Sequence, residues 1–249
     1  MRLFGLIGYP LTHSFSSAYF AEKFNAEKIP DAVYKNFALS DIASFPDLLK
    51  QNPELCGLNV TIPYKKTIIP FLHILDATAK TIGAVNTIKV TATGEEVILE
   101  GYNTDHLGFR MAVEPLISSF RGKALILGTG GSSEAVAFAL KQLDIPFLFV
   151  TRGATGRGRI SYSRLDETMI RSHRLIINTT PLGMFPHTDS LPDIPYHAIT
   201  ADHLLFDLVY NPPETGFLRK GKEKGAVTMN GQAMLRFQAE ESWKIWNRV

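Results

Sequence analysis

The stretch Ala124-Leu125-Ile126-Leu127-Gly128-Thr129-Gly130-Gly131-Ser132-Ser133-Glu134 opens the second half of a 249-residue chain and decides how that half folds. Its four leading apolar residues read as a buried strand. Gly128, Gly130 and Gly131 follow at once, and residues 132–143 carry a helical rhythm. A glycine-rich turn between strand and helix lets the backbone approach a pyrophosphate. The helix start adds N–H groups and the positive end of its dipole. The spacing departs from a full G-x-G-x-x-G because Ser133 holds the third glycine position. In its strand–turn–helix setting the turn still reads as a dinucleotide cradle.

The next strand, residues 147–150, ends at Thr151-Arg152. A carboxylate at that point would accept from the ribose 2′-hydroxyl of NAD, whereas a guanidinium pairs with a 2′-phosphate. Arg152 therefore points to NADP. Arg157 and Arg159, close behind a glycine-rich loop, read either as further phosphate contacts or as a solvated basic loop. More strands are expected at 175–178, 204–209 and 226–229, with helices at 107–118 and 232–246. In the first half, strands are expected at 3–8, 33–39 and 57–61, and a hairpin at 87–100 about Thr93-Gly94. Helices are expected at 16–28, 42–50, 65–72 and 77–82. This alternation predicts an α/β protein with mostly parallel sheets.

Composition bounds the rest. With 45% hydrophobic and 20% charged residues the chain is neither disordered nor a small disulfide scaffold. Lys and Arg total 26 against 24 acidic residues, without blocks of one sign, so no nucleic-acid footprint is expected. One cysteine, Cys56, excludes an internal disulfide and suits a reducing cytoplasm. The apolar runs are short of the ~20 residues that a membrane span needs. Met1-Arg2-Leu3-Phe4 enters a strand pattern directly, so neither a membrane partner nor a signal peptide is expected. The seven histidines show no ligand spacing, and no metal site is expected. Trp243 and Trp246 read as packing residues.

Small polar residues gather at the ends of the predicted strands in the first half. Ser14 and Ser16 follow Gly8-Tyr9-Pro10, and Asn59 and Thr61 close a strand with Lys65 just beyond. Asn86 and Thr87 follow Gly83-Ala84-Val85, and Asp105 closes Asn103-Thr104-Asp105. Ligands of open α/β sheets sit beyond the carboxyl ends of strands, and such a set suits a polyhydroxylated carboxylate. Simpler roles stand beside that one: Ser14 and Asp105 as helix caps, Asn86 as a turn residue.

These motifs, in order, resemble the shikimate dehydrogenases. The resemblance rests on Gly8-Tyr9-Pro10 with His13-Ser14-Phe15-Ser16, on residues 57–65 (GLNVTIPYK), on Gly83-Ala84-Val85-Asn86-Thr87 and on Gly101-Tyr102-Asn103-Thr104-Asp105. It continues through Gly128 to Gly131, residues 178–184 (NTTPLGM), Asp207-Leu208-Val209-Tyr210 and residues 230–235 (NGQAML) with Gln238, and so spans nearly the whole chain. The resemblance implies an enzyme that reduces 3-dehydroshikimate to shikimate with NADPH in aromatic amino-acid biosynthesis. It implies Lys65 and Asp105 as the catalytic pair. Ser14, Ser16, Asn59, Thr61, Asn86, Tyr210 and Gln238 become the substrate positions. Gly128, Thr129, Gly130, Gly131, Ser132, Thr151, Arg152, Leu208 and Gly231 become the NADP site.

The expected architecture is a substrate-binding unit of residues 1–104 plus 231–249 and a Rossmann-like NADP-binding unit of residues 105–230, as a monomer or homodimer with its active site in the cleft between them. A quinate/shikimate dehydrogenase able to use NAD and a non-catalytic nucleotide-binding relative are the alternatives. Arg152 argues against NAD and leaves quinate open, and the retained Lys65 and Asp105 argue against the second. Several residues depart from the family pattern: Ser17 for a usual Pro, Tyr19-Phe20 for His-Asn, Ala77 for an acid, and Ser132-Ser133-Glu134 for small residues followed by a base. The segment between Arg152 and Asn178 is also short.

Overall fold

Strand β1 (Arg2–Gly8) is apolar and buried over most of its length, as a strand inside a parallel sheet must be. The computed structural model describes residues 1–11, 15–94, 96–117, 122–153 and 156–248. Through α1 (Phe15–Ala26) the chain returns to β2 (Ala32–Ala38), which pairs in parallel with β1. A short 3-10 turn and α2 (Phe45–Gln51) then lead to β3 (Leu55–Val60), parallel to β1 on its other side. Next come β4 (Ile74–Leu75), α3 (Ala77–Ile82), and the antiparallel β5 (Thr87–Thr93) and β6 (Glu96–Tyr102). The sheet order is β2-β1-β3-β5-β6-β4. Asp76 caps α3 by accepting from the Thr78 amide at 2.8 Å.

The second sheet is parallel throughout, in the order β12-β11-β10-β7-β8-β9. Its elements are α4 (Asp105–Val113), β7 (Ala124–Leu127), α5 (Gly131–Gln142), β8 (Phe147–Thr151), β9 (Arg159–Ser161) and α6 (Glu167–Ser172). They continue with β10 (Leu175–Asn178), β11 (Leu204–Asp207), α7 (Gly216–Glu223), β12 (Val227–Met229) and α8 (Gln232–Trp246). All four residues of β7, of β10 and of β11 are buried. That is why their sequences are continuous apolar runs rather than alternating ones.

The chain forms two compact units, Met1–Thr104 with Gln238–Val249 and Asp105–Phe237. The second boundary falls inside α8, not before it at residue 231. Met234 belongs to the core around Phe109, Ile126 and Phe206. Ala239, Ile245 and Trp246 belong to the core around Phe4, Phe20 and Phe24. One helix thus supplies apolar residues to two cores.

Local expectations fail where proline, glycine or brevity intervenes. Residues 65–72 form turns and a 3-10 helix (Ile69–Phe71), not an α-helix. Pro70 lacks the N–H a longer helix needs, and Ile69 and Phe71 bond three residues back, to Lys66 and Ile68. Strand β9 and helices α6 and α7 were not anticipated. Helix α7 holds Gly216 and Gly221, poor helix formers, yet a Cβ at Gly221 would lie 2.5 Å from Leu205, so close packing selects glycine.

Candidate active site

Gly128 leaves β7 with φ +111, a conformation open to glycine, and its N–H bonds the Val150 carbonyl at 2.9 Å. Thr179 closes the turn from the neighbouring strand end: its hydroxyl and its amide both donate to the Leu127 carbonyl, at 2.6 and 3.0 Å. Gly130 is the N-cap of α5, which opens without a side-chain capping bond. A Cβ at Gly130 would meet no protein atom within 4 Å. Protein packing therefore does not require glycine there, whereas a pyrophosphate against the helix start does. The Ser133 hydroxyl donates to the Gly130 carbonyl at 2.6 Å, so the residue in the third glycine position fastens the turn. This geometry fits a dinucleotide. Thr129 and Ser132 are half-buried beside the glycines.

At the end of β8, Thr151 is buried, and its hydroxyl accepts from the Gly153 amide at 3.0 Å. That turn projects Arg152, which is exposed. Arg159 is committed elsewhere: its guanidinium lies 5.7 Å from the Phe149 ring centroid and 3.9 Å from Glu134. The acid at 134, one of the departures, thus partners a base on β9.

The ends of β10 and β11 are locked together. Asn178 and Asp207 are fully buried, and the Asn178 amide donates to Asp207 Oδ1 at 3.0 Å. Asp207 also accepts from the Val209 amide at 3.0 Å and the Thr215 hydroxyl at 2.6 Å. Burial raises its pKa to about 6, against the lowering effect of those donors. Leu208 follows directly, and its amide donates to the Asn178 carbonyl at 2.9 Å. Gly231 lies against Leu208: a Cβ there would fall 2.2 Å from the Leu208 carbonyl oxygen. Tyr210 is half-buried in the same turn. The sequence alone assigns no role to Asn178, Asp207 or Thr215, which the structure joins in this buried cluster. A charged residue ending an otherwise apolar strand was the available signal.

In the first unit the strand-end polar residues form one buried network. The Asn59 amide donates to Ser242 Oγ at 2.9 Å, and its oxygen accepts from Tyr34 at 2.8 Å. Thr87 and Ser242 share a hydrogen bond of 2.8 Å. The Asn86 amide reaches Thr104 Oγ1 at 2.9 Å and Gln238 Oε1 at 3.1 Å. Asn59, Asn86, Thr87, Thr104, Gln238 and Ser242 are all buried. Ser16 is buried at the start of α1 and hydrogen-bonds Tyr34, whose hydroxyl titrates well above its ordinary range because it is buried. Ser14 lies outside the described residues.

Lys65 is half-buried, and its carbonyl accepts from the Val85 amide at 2.7 Å. Asn86 Oδ1 accepts from the Thr104 amide at 2.6 Å. Asp105 comes next, buried, as the first residue of α4. The turn at residues 83–87 is thus bonded both to the backbone of Lys65 and to the residue preceding Asp105. Thr61 follows β3 directly and is half-buried, with its carbonyl accepting from the Tyr64 amide at 2.9 Å. Among the described residues, no group of three His, Cys, Asp or Glu side chains could hold a metal. No helix among them is long and apolar enough to cross a membrane.

Comparison with known proteins gives a consistent family. A family model described as the shikimate dehydrogenase substrate binding domain matches residues 6–88. The shikimate dehydrogenase (NADP(+)) of Methanococcus vannielii is 38% identical, over 98% of this chain and 90% of that protein. The crystal structure of shikimate 5-dehydrogenase from Thermus thermophilus in complex with NADP(H) and shikimate superposes with a TM-score of 0.84 at 29% identity, covering 99% of this chain and 94% of that one. A quinate dehydrogenase from Corynebacterium glutamicum in complex with NAD gives 0.83 at 28%, covering 99% and 93%.

Proposed function

The chain belongs to the shikimate dehydrogenase family, and we propose that Lys65 and Asp105 form the proton-transfer pair of its reaction. The chain is an NADP-dependent shikimate dehydrogenase, interconverting 3-dehydroshikimate and shikimate. The observation that carries the catalytic assignment is the turn at 83–87, bonded both to Lys65 and to the residue before Asp105.

NADPH, when bound, supplies the hydride. Hydride arrival at the ketone carbon develops negative charge on its oxygen. Lys65 carries the proton that this oxygen takes up, and its charge stabilises the oxygen until transfer. In the oxidising direction the hydroxyl proton returns to Lys65. Asp105 orients the ammonium and the reacting hydroxyl. Ser14 and Ser16 bind the substrate carboxylate. Asn59, Thr61, Asn86, Tyr210 and Gln238 bind or position its hydroxyl groups. Gly128, Thr129, Gly130, Gly131 and Ser132 take the pyrophosphate. Arg152, with Thr151 shaping its turn, would take the 2′-phosphate, and Leu208 and Gly231 would complete the NADP site.

The test is Lys65→Met, which keeps chain length without charge, beside Asp105→Asn. Loss of a general acid costs ~10²–10⁴-fold in rate, so turnover should collapse while shikimate binding changes far less. The double variant should be little worse than the worse single one if the two act as a unit. Near-normal turnover of Lys65→Met removes Lys65 from the mechanism. Quinate, assayed in parallel with NAD and NADP, measures how selective the pocket is.

A further inference from the structure

We propose that Asp207 is the positioning residue for the cofactor side of the site, its ionised carboxylate holding Leu208 and Tyr210 in place by gathering Asn178, Val209 and Thr215. The proposal rests on the assignment of Leu208 and Gly231 to the NADP site. Asp207 is a buried acid that the reaction itself does not use. Its two oxygens accept three bonds from three places: the end of β10 through Asn178, the turn after β11 through the Val209 amide, and the start of α7 through Thr215. Thr215 also caps α7 by accepting from the Leu218 amide. The Asn178 oxygen in turn accepts from the Thr180 amide at 3.1 Å and the Thr180 hydroxyl at 2.6 Å. The end of β10, the strand next to β7, and the end of β11, the strand beyond it, therefore refer to one carboxylate.

A carboxylate suits this task because it only accepts, and each of its three partners donates. Protonation changes that. The acid form must place a proton on one oxygen, and the Thr215 hydroxyl must turn to accept it. Burial lifts the pKa into the range where the change takes place under assay conditions, to about 6. No charged side chain among the described residues contributes to that shift. Tyr196, from the 3-10 turn Tyr196–Ala198, feels the charge of Asp207, and its hydroxyl is held neutral chiefly by burial. Asn178, Val209 and Thr215 do not titrate.

The experiment measures NADP affinity by titration calorimetry from pH 5 to 8 for the wild type, Asp207→Asn, Thr215→Val and Leu208→Ala. A phosphate group titrates near the same pH, so the readout is the ratio of variant to wild-type affinity at each pH. Weakened charge-assisted bonds predict an affinity loss of about tenfold for Asp207→Asn at pH 8. That loss should shrink toward unity at pH 5, where the wild type is itself protonated. Thr215→Val removes one donor, so its affinity should begin to fall at higher pH than that of the wild type. A constant Asp207→Asn ratio across the range, or a ratio of one throughout, overturns the proposal. If Leu208→Ala leaves NADP affinity intact, the underlying cofactor assignment fails and the proposal with it. If Leu208→Ala weakens binding and Asp207→Asn does not, only the proposal fails.

Discussion

Gly231→Ala and Gly130→Ala are the same chemical change with opposite expected signatures. At Gly231 the new methyl would sit 2.2 Å from the Leu208 carbonyl oxygen and 2.7 Å from its carbon. Both are backbone atoms, so no rotamer change relieves the contact. Restoring an ordinary separation of about 3.4 Å moves one backbone segment by about 1.2 Å. That movement stretches the bond from the Gly231 amide to the Val209 carbonyl, already 3.2 Å, and shifts Leu208. Overpacking of this kind costs about 1–3 kcal/mol. For a chain of this size that lowers the unfolding midpoint by roughly 2–4 °C per kcal/mol. A misplacement of about 1 Å can also cost ~10²-fold in rate. Gly231→Ala should therefore lose thermal stability and raise the NADP KM by about 10–100-fold together.

At Gly130 a Cβ meets no protein atom within 4 Å, so the unfolding midpoint of Gly130→Ala should stay within about 2 °C of wild type. Only the approach of the pyrophosphate is obstructed, and the NADP KM should rise alone. Steady-state kinetics at saturating shikimate and a thermal melt separate the two. If Gly231→Ala keeps the wild-type melt and an NADP KM within twofold, the Leu208 approach does not constrain the turn. If Gly130→Ala binds NADP normally, the pyrophosphate does not lie against that helix start.

Three further outcomes follow from other parts of the molecule. Arg152→Ala should raise the NADP KM by the loss of about 1.5–3 kcal/mol from a charge-assisted contact while barely moving the NAD value; an equal effect on both cofactors would make Arg152 a support of its loop. Ser242→Ala removes the shortest partner of the buried Asn59 amide and of the Thr87 hydroxyl, leaving each only bonds of 3.3 Å or longer, and should cost about 1–3 kcal/mol in urea unfolding; a change below about 0.5 kcal/mol would show the network closing without it. The pKa of Asp207, about 6, lies above the ordinary carboxylate value of 3.8, so the native state binds its proton more tightly than the unfolded chain does. Its contribution is fully present below pH ~4 and is lost as pH rises through about 6, amounting to about 3 kcal/mol. Urea unfolding of wild type against Asp207→Asn at pH 4.5 and 7.5 reads this, and a pH-independent difference between them would contradict it.

The parallel sheet around the nucleotide cradle was legible because burial on both faces writes strands as apolar runs. Residues 124–127 and 175–178 were located by that signal, and the turn after 127 by its glycines. What stayed hidden depends on contacts distant in sequence. Helix α7 carries two glycines that local propensity counts against, and the close approach of Leu205 and Thr228 explains Gly221. Strand β9 is three residues long and exists because β8 pairs with it. Residues 65–72 read as a helix, and Pro70, which lacks the N–H a helix needs, leaves turns and one 3-10 helix there. In the site, residue types at strand ends were readable, but their division between contact and support was not. Asn59 gathered attention as a ligand candidate, yet four groups already meet its side chain: Tyr34, the Asn86 carbonyl, Thr87 and Ser242.

That distinction also accounts for departures that looked like weaknesses. Phe20 stacks on Tyr34 with ring centroids 4.6 Å apart and meets Trp246 at 5.4 Å. Tyr19 donates to Glu240, which also pairs with the buried Lys23 at 2.8 Å. The pair at 19 and 20 therefore fastens α1 to the second half of α8. The residues that α8 brings to the buried network are Gln238 and Ser242, on either side of Glu240. A buried polar network is costly unless every member is satisfied, so its geometry depends on how firmly each contributing helix is held. A departure at 19 and 20 thus bears on a buried polar network it never touches, through the packing of one helix on another.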